Sequence, residues 1–496
     1  MQVKIDDKSL TIKDFYSIFK EEKPISIEQE TRARIQKSRK FLKRKIENAQ
    51  SPIYGINTGF GQLCDQKISD SDLEKLQINL VRSHACGIGQ PVPDHISRIM
   101  LLLKIRSFTT GYSAVSEELF DRLLELYNSG ASPVIFEKGS LGASGDLVPL
   151  AHLTLPILGE GHINHKGKTI TGSEYLKEAG DKPFILKAKE GLAMLNGTQF
   201  MLALGLDSID RSRKIMDAAI WICALSIDAF DSRIDFLHPE IHNVRPHKGQ
   251  IEVAKRMKAL LENSKIATSP KKQVQDPYSV RCLPQVLGAS LDTINYAASV
   301  LETELNSITD NPLVFENQDA VISGGNFHGQ PLALVLDFLG IAMAEVANIC
   351  ERLLYKLLSG ERGLPVFLTK NPGLESGFMI PQYSAASLVS ENKQLATPAS
   401  VDSIVSSNGQ EDHVSMGANA GLKCTRILDN VEAVLGILLL AGAQALEFRR
   451  PLESSLEIES LFSDFRKKVD FRVSDSYFKP DIDMALEFVK SYPFEK

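Results

Sequence analysis

The chain has 496 residues, of which 43% are hydrophobic and 24% charged, and its formal net charge is −6. That is globular composition, with enough apolar residues for a large core and about three domain-sized pieces by length alone. The acidic balance favours solubility and gives no electrostatic case for a nucleic-acid partner or an anionic membrane.

The opening stretch, MQVKIDDKSLTIKDF, carries acids early and has no apolar run, which predicts neither a signal peptide nor a transit peptide. Up to about residue 200, frequent Gly and Pro leave short helical patterns, such as DSDLEKLQINLVRSH and SRIMLLLKIRSF. GEGHINHKGKTI reads as a short hairpin. Beyond residue 200 the patterns lengthen. Leu287, Leu291, Ile294, Ala298, Leu301, Leu305 and Ile308 form one apolar seam on a long helix, which TDNP (309–312) ends. A second helix is expected over about 331–358 and a third over about 413–448. The third contains AVLGILLLAGAQAL (433–446), too short an apolar run to span a bilayer and so a buried helix. The expected fold class is all-α (mainly α). A smaller mixed N-terminal region (1–200) precedes a long central helical bundle (201–496).

Cys64, Cys86, Cys223, Cys282, Cys350 and Cys424 are scattered and form no C-x-x-C pair, which suggests free thiols in a reducing, cytoplasmic setting. His162 and His165 fall in the expected hairpin. His238 and His242 have helical spacing without the further ligands of a zinc frame, so no metal is expected.

FEKGSLGASGDLVPLAHL (136–153) is unusually rich in glycine. It lacks the G-K-[ST] ending of a phosphate-binding loop and the G-x-S-x-G of a nucleophile elbow. One reading is a tight turn followed by a helix with Asp146 as its N-cap. The other is chemical. The Gly145 amide nitrogen, unhindered by a Cβ, can attack the Ala143 carbonyl and close a five-membered ring. Loss of water, then of the Ser144 hydroxyl as a second water, leaves an exocyclic methylene. That alkene is an electrophile which no ordinary side chain supplies.

GSLGASGDLVPLAHL resembles the signature of the aromatic amino-acid ammonia-lyases and aminomutases. IYGINTGFGQL, NLVRSHACGIG, KEGLAMLNGTQ, VQDPYSVRCLPQVLG, SGGNFHGQPLAL, SGFMIPQYSAASLVSENK and NGQEDHVSMG resemble further blocks of that family, in the family's order, over about residues 50–450. The resemblance implies a mainly helical homotetramer. It also implies a 4-methylideneimidazole-5-one prosthetic group formed autocatalytically from Ala143, Ser144 and Gly145.

It further implies a role for each site residue. Tyr54, in a loop with Gly55, Gly59 and Gly61, would be the base for the β-proton, provided that neighbours lower its pKa. Arg281 would bind the substrate carboxylate through its planar fork. Tyr278 and Gln275 would belong to the substrate pocket and proton network. Asn196 would hydrogen-bond substrate or prosthetic group, or else cap a helix. Phe327 would pack against the prosthetic ring.

For substrate choice, Ser83-His84 suits an imidazole, and Glu411 stands where phenylalanine- and tyrosine-using members carry glutamine. A carboxylate accepts an imidazole N–H but would be an unpaired charge in a phenyl pocket. Gly409 and Cys86 depart from the family's usual Asn and Ala. The expected reaction is elimination of ammonia from L-histidine to trans-urocanate. The alternative is a tyrosine or phenylalanine ammonia-lyase or aminomutase with the same group.

Overall fold

The computed structural model describes residues 3–20, 23–48, 53, 55–56, 58, 68–69 and 72–494. The fold is mainly α, and the strands are short pieces in small two- and three-stranded sheets. Helices α1 (Leu73–His84), α2 (Asp94–Phe108), α3 (Leu147–Thr154) and α4 (Glu190–Leu195) carry the site described below. The expected hairpin is present. Strands β1 (His162–His165) and β2 (Lys168–Thr171) pair antiparallel through a tight turn in which Lys166 and Gly167 both have positive φ.

Four long helices follow: α5 (Gln199–Ala229), α6 (Leu283–Leu305), α7 (Gln330–Leu357) and α8 (Gly417–Glu447). On α6 most of the seam faces inward, with Leu287, Ile294, Ala298, Leu301 and Leu305 buried, whereas Leu291 is half-buried and the helix ends at Leu305, before Ile308 and TDNP. The pattern of α5 shows no single apolar face, because residues 218–229 are buried on every side. By length and composition α7 and α8 could cross a membrane, yet most of each is buried within the protein. Helix α8 starts at Gly417 and not near His413. The preceding residues are held in loop contacts: Val414 N donates to Ser403 Oγ at 2.9 Å, and Ser415 Oγ accepts from Gly329 N at 3.1 Å.

The chain packs as two compact units. One comprises Met1–Asp207, Ala298–Leu336 and Pro398–Leu422; the other comprises Ser208–Ala297, Asp337–Thr397 and Lys423–Lys496. The first therefore draws on two later stretches of the chain besides the N-terminal region.

Candidate active site

The glycine-rich stretch is a turn gripped by two other segments. Gly142, Ser144 and Gly145 all have positive φ, at 86°, 50° and 85°. For serine this is a sparsely populated, strained conformation. A Cβ at Gly142 would overlap the Ser415 carbonyl oxygen, and one at Gly145 would overlap the Gly197 carbonyl oxygen. The glycines are thus needed for close approach as well as for bending. Gly197 N donates to Ser144 O at 3.1 Å, and Asp146 N donates to Gly197 O at 2.8 Å. Ala143 packs with Val414 and Met416.

Asp146 corrects one expectation. It precedes α3, but its side chain makes no capping bond there. Its Oδ2 instead accepts from Phe200 N (3.0 Å) and Met201 N (2.9 Å), in the first turn of α5, and its Oδ1 accepts from Ser140 Oγ at 2.9 Å. The carboxyl ties the reactive turn to a helix start 54 residues away. Burial pushes its pKa up to about 7 despite these bonds.

Asn196 follows α4 directly. Its Nδ2 donates to Asp310 Oδ1 (3.1 Å) and to Asn311 O (2.6 Å). Its Oδ1 is buried and has no partner among the described residues. Asp310 is held in turn by Lys189 Nζ at 2.5 Å. Burial works to raise the Asp310 pKa, but the charge and hydrogen bond of Lys189 and the Lys104 charge hold it below the ordinary carboxylate range.

Ala143 and Ser144 open onto a cavity of about 420 Å3, which Phe327, His328, Glu411 and His413 also line. Glu411 stands at the base of a small bridge with Ser406, whose Oγ donates to Oε2 at 2.9 Å. The His328 and His413 rings stack with centroids 5.8 Å apart. His84, at the end of α1, is half-buried, with Nδ1 3.0 Å from Ser83 Oγ. Burial lowers its pKa, while the Leu80 main chain and the charge of Glu411 pull the other way. The two residues expected to select the substrate thus feel each other electrostatically.

Gln275, Tyr278 and Arg281 belong to the second unit. There Tyr278 is 71% exposed, and the Arg281 guanidinium stacks on its ring at 4.5 Å while Nε donates to Asp276 O at 3.0 Å. Among the described residues Arg281 has no carboxylate partner. Tyr54, Gly59 and Gly61 lie outside the described residues.

The left-handed Ser144, the flanking glycines that admit no Cβ and the buried, unpartnered Asn196 Oδ1 fit the self-formed ring that the sequence suggests. Among the described residues no three His, Cys, Asp or Glu side chains cluster as a metal site. Sequence reasoning missed the buried frame of Lys104, Lys189 and Asp310. A signal was present in MLLLKIRSF, where Lys104 directly follows four apolar residues, and in TDNP, read only as a helix stop.

The chain matches the family profile described as aromatic amino acid lyase over residues 10–467. It is 45% identical over 493 residues to histidine ammonia-lyase 2 of Fusobacterium nucleatum, covering 99% of this chain and 96% of that relative. Among solved structures, histidine ammonia-lyase from Trypanosoma cruzi superposes with a TM-score of 0.91 at 41% identity, covering 99% of this chain and 94% of that one. Tyrosine aminomutase from Streptomyces globisporus superposes with a TM-score of 0.93 at 33% identity, covering 100% and 98%. Backbone similarity does not separate these two activities, whereas sequence identity favours the first.

Proposed function

The chain belongs to the aromatic amino acid lyase family, and on that premise we propose that it eliminates ammonia from L-histidine to give trans-urocanate. The observation that carries the choice of histidine is Glu411, which lines the same cavity as Ser144 and acts electrostatically on His84. A carboxylate there accepts an imidazole N–H and tolerates a cationic ring. A phenylalanine side chain would offer that carboxylate no donor, and a tyrosine side chain only a neutral hydroxyl.

The prosthetic group assigned to Ala143-Ser144-Gly145 is 4-methylideneimidazole-5-one, which supplies an electrophilic carbon. The rest of the work falls to the chain's own side chains. Glu411 and His84 orient the imidazole. Asn196, its amide fixed through Nδ2 by Asp310 and Asn311, keeps Oδ1 to accept a hydrogen bond at the reacting centre. Phe327 gives the site an apolar wall. Tyr54 takes the β-proton, and Arg281 binds the carboxylate, supported by Tyr278 and Gln275.

The exposure of Tyr278 and an Arg281 guanidinium that has no carboxylate partner among the described residues support a homotetrameric assembly in which neighbouring chains complete each other's sites. A cytoplasmic location accords with six dispersed cysteines. The test is incubation of purified protein with L-histidine, L-tyrosine and L-phenylalanine, following each conjugated acrylate product. Turnover of histidine well above the other two is expected, and preference for tyrosine or phenylalanine would reject the assignment. Ser144→Ala should leave the fold intact and abolish turnover, and its mass should lack the loss of two waters seen in the parent protein.

A further inference from the structure

Close to the reactive turn lies a buried lysine that the reaction above does not use. Lys104, on α2, is 1% exposed. Among the described residues it makes no ion pair within contact distance. Its Nζ donates instead to two main-chain carbonyls, Asn196 O at 2.7 Å and Ala193 O at 3.2 Å.

Those carbonyls have lost their helical partners. Continuation of α4 would have Gly197 N donate to Ala193 O, but Gly197 N donates to Ser144 O instead. Phe200 N, the helical partner for Asn196 O, donates to Asp146 Oδ2. Asp146 and Lys104 therefore act as a complementary pair. The carboxylate takes the orphaned N–H groups at the start of α5, and the amine takes the orphaned carbonyls at the end of α4. Between them, Gly197 is left to hold Ser144 O with its nitrogen and Asp146 N with its carbonyl.

We propose that Lys104 is a positioning residue for ring closure at Ala143-Ser144-Gly145. It satisfies the carbonyls that Gly197 and Phe200 abandon, so that the Asn196-Gly197 main chain can grip the turn. This rests on the self-cyclising reading of that turn. The step needs no co-reactant. A bond forms from Gly145 N to the Ala143 carbonyl carbon, and that oxygen leaves as water with the amide hydrogens of Gly145 and Ser144. The Ser144 hydroxyl then leaves with its Cα hydrogen as a second water. Burial lowers the Lys104 pKa to about 7, and the amine, charged or neutral, keeps hydrogens for both carbonyls.

The readout is the fraction of folded chains lacking two waters, from the mass of the peptide spanning 143–145. In Lys104→Met this fraction should fall at least about tenfold at matched times after synthesis, the factor for one lost charge-assisted hydrogen bond. Leu435→Ala, a cavity in the bundle core, should lose thermal stability yet remain dehydrated like the parent. Folded Lys104→Met that is dehydrated to the parent's extent overturns the inference. If Lys104→Met does not fold, Lys104→Gln, which keeps a donor for one carbonyl, should be partly dehydrated, and full dehydration there overturns it equally. A parent protein without the two-water loss would instead sink the self-cyclising reading beneath it.

Discussion

Gly197 holds Ser144 from outside its own turn: the Gly197 amide donates to the Ser144 carbonyl at 3.1 Å, and the Gly197 carbonyl accepts from Asp146 N at 2.8 Å. The residue proposed to become the electrophile is thus fixed by a chain segment 53 residues further on. Its left-handed φ of 50° is a conformation that serine does not keep without such restraint. The bond also places Asn196, one residue before Gly197, beside the same turn.

Glu411→Gln tests substrate choice. Loss of a charge-assisted hydrogen bond to the imidazole should cost about 1.5–3 kcal/mol, or roughly ten- to a hundredfold in histidine turnover. Tyrosine turnover should fall less, or rise. The deciding quantity is the ratio of histidine to tyrosine activity in parent and variant. An unchanged ratio, with only a lower melting temperature, would mean that Glu411 serves the Ser406 bridge alone.

Gly142→Ala should destabilise far more than Gly130→Ala. Both glycines have positive φ, so each substitution carries the strain of a left-handed alanine, about 1 kcal/mol or more. At Gly130 the added methyl meets nothing within 4 Å, whereas at Gly142 it runs into the Ser415 main chain. Chemical denaturation of the pair should separate the two effects. Equal losses would show that the Ser415 segment yields easily.

The Lys189–Asp310 pair offers a double-mutant cycle. Lys189→Met leaves a buried carboxylate without its cation and should cost about 3–5 kcal/mol. Adding Asp310→Asn removes the orphaned charge and keeps an oxygen for Asn196 Nδ2. The double variant should therefore be more stable than Lys189→Met alone. Strict additivity in unfolding midpoints would argue that the two charges do not depend on one another.

His84 should titrate below the ordinary histidine range, because burial disfavours its cation. Between its folded pKa and the unfolded value of about 6.5, the unfolded chain binds more protons, so this residue makes stability fall as pH drops through that window. Glu411→Gln removes one of the two influences that oppose burial and should move the His84 pKa lower still. Proton NMR titration of the ring reads this directly, and an upward movement would contradict the electrostatic coupling.

Much of the architecture is local and therefore readable from the letters. The seam of α6 follows from side-chain spacing on one helix. The His162–Thr171 hairpin follows from a Lys-Gly turn that needs positive φ. The reactive turn stands out because glycines at 139, 142 and 145 have no place in a regular element. The family blocks place Ala143, Ser144, Phe327 and Glu411 in order along the sequence, and the structure gathers them on one cavity.

What the sequence by itself determined is the helical class, the turn and the chemical types at the site, since periodicity, backbone freedom and functional groups are properties of neighbouring residues. Only the tertiary structure decided where the buried polar groups find their partners. Asp146 caps α5 and not the adjacent α3, Lys189 neutralises Asp310, and Lys104 reaches carbonyls 89 and 92 residues away. No local pattern encodes those pairings. They arise because a buried polar group without a partner costs free energy, and these three side chains find theirs on whichever segment packing has brought near.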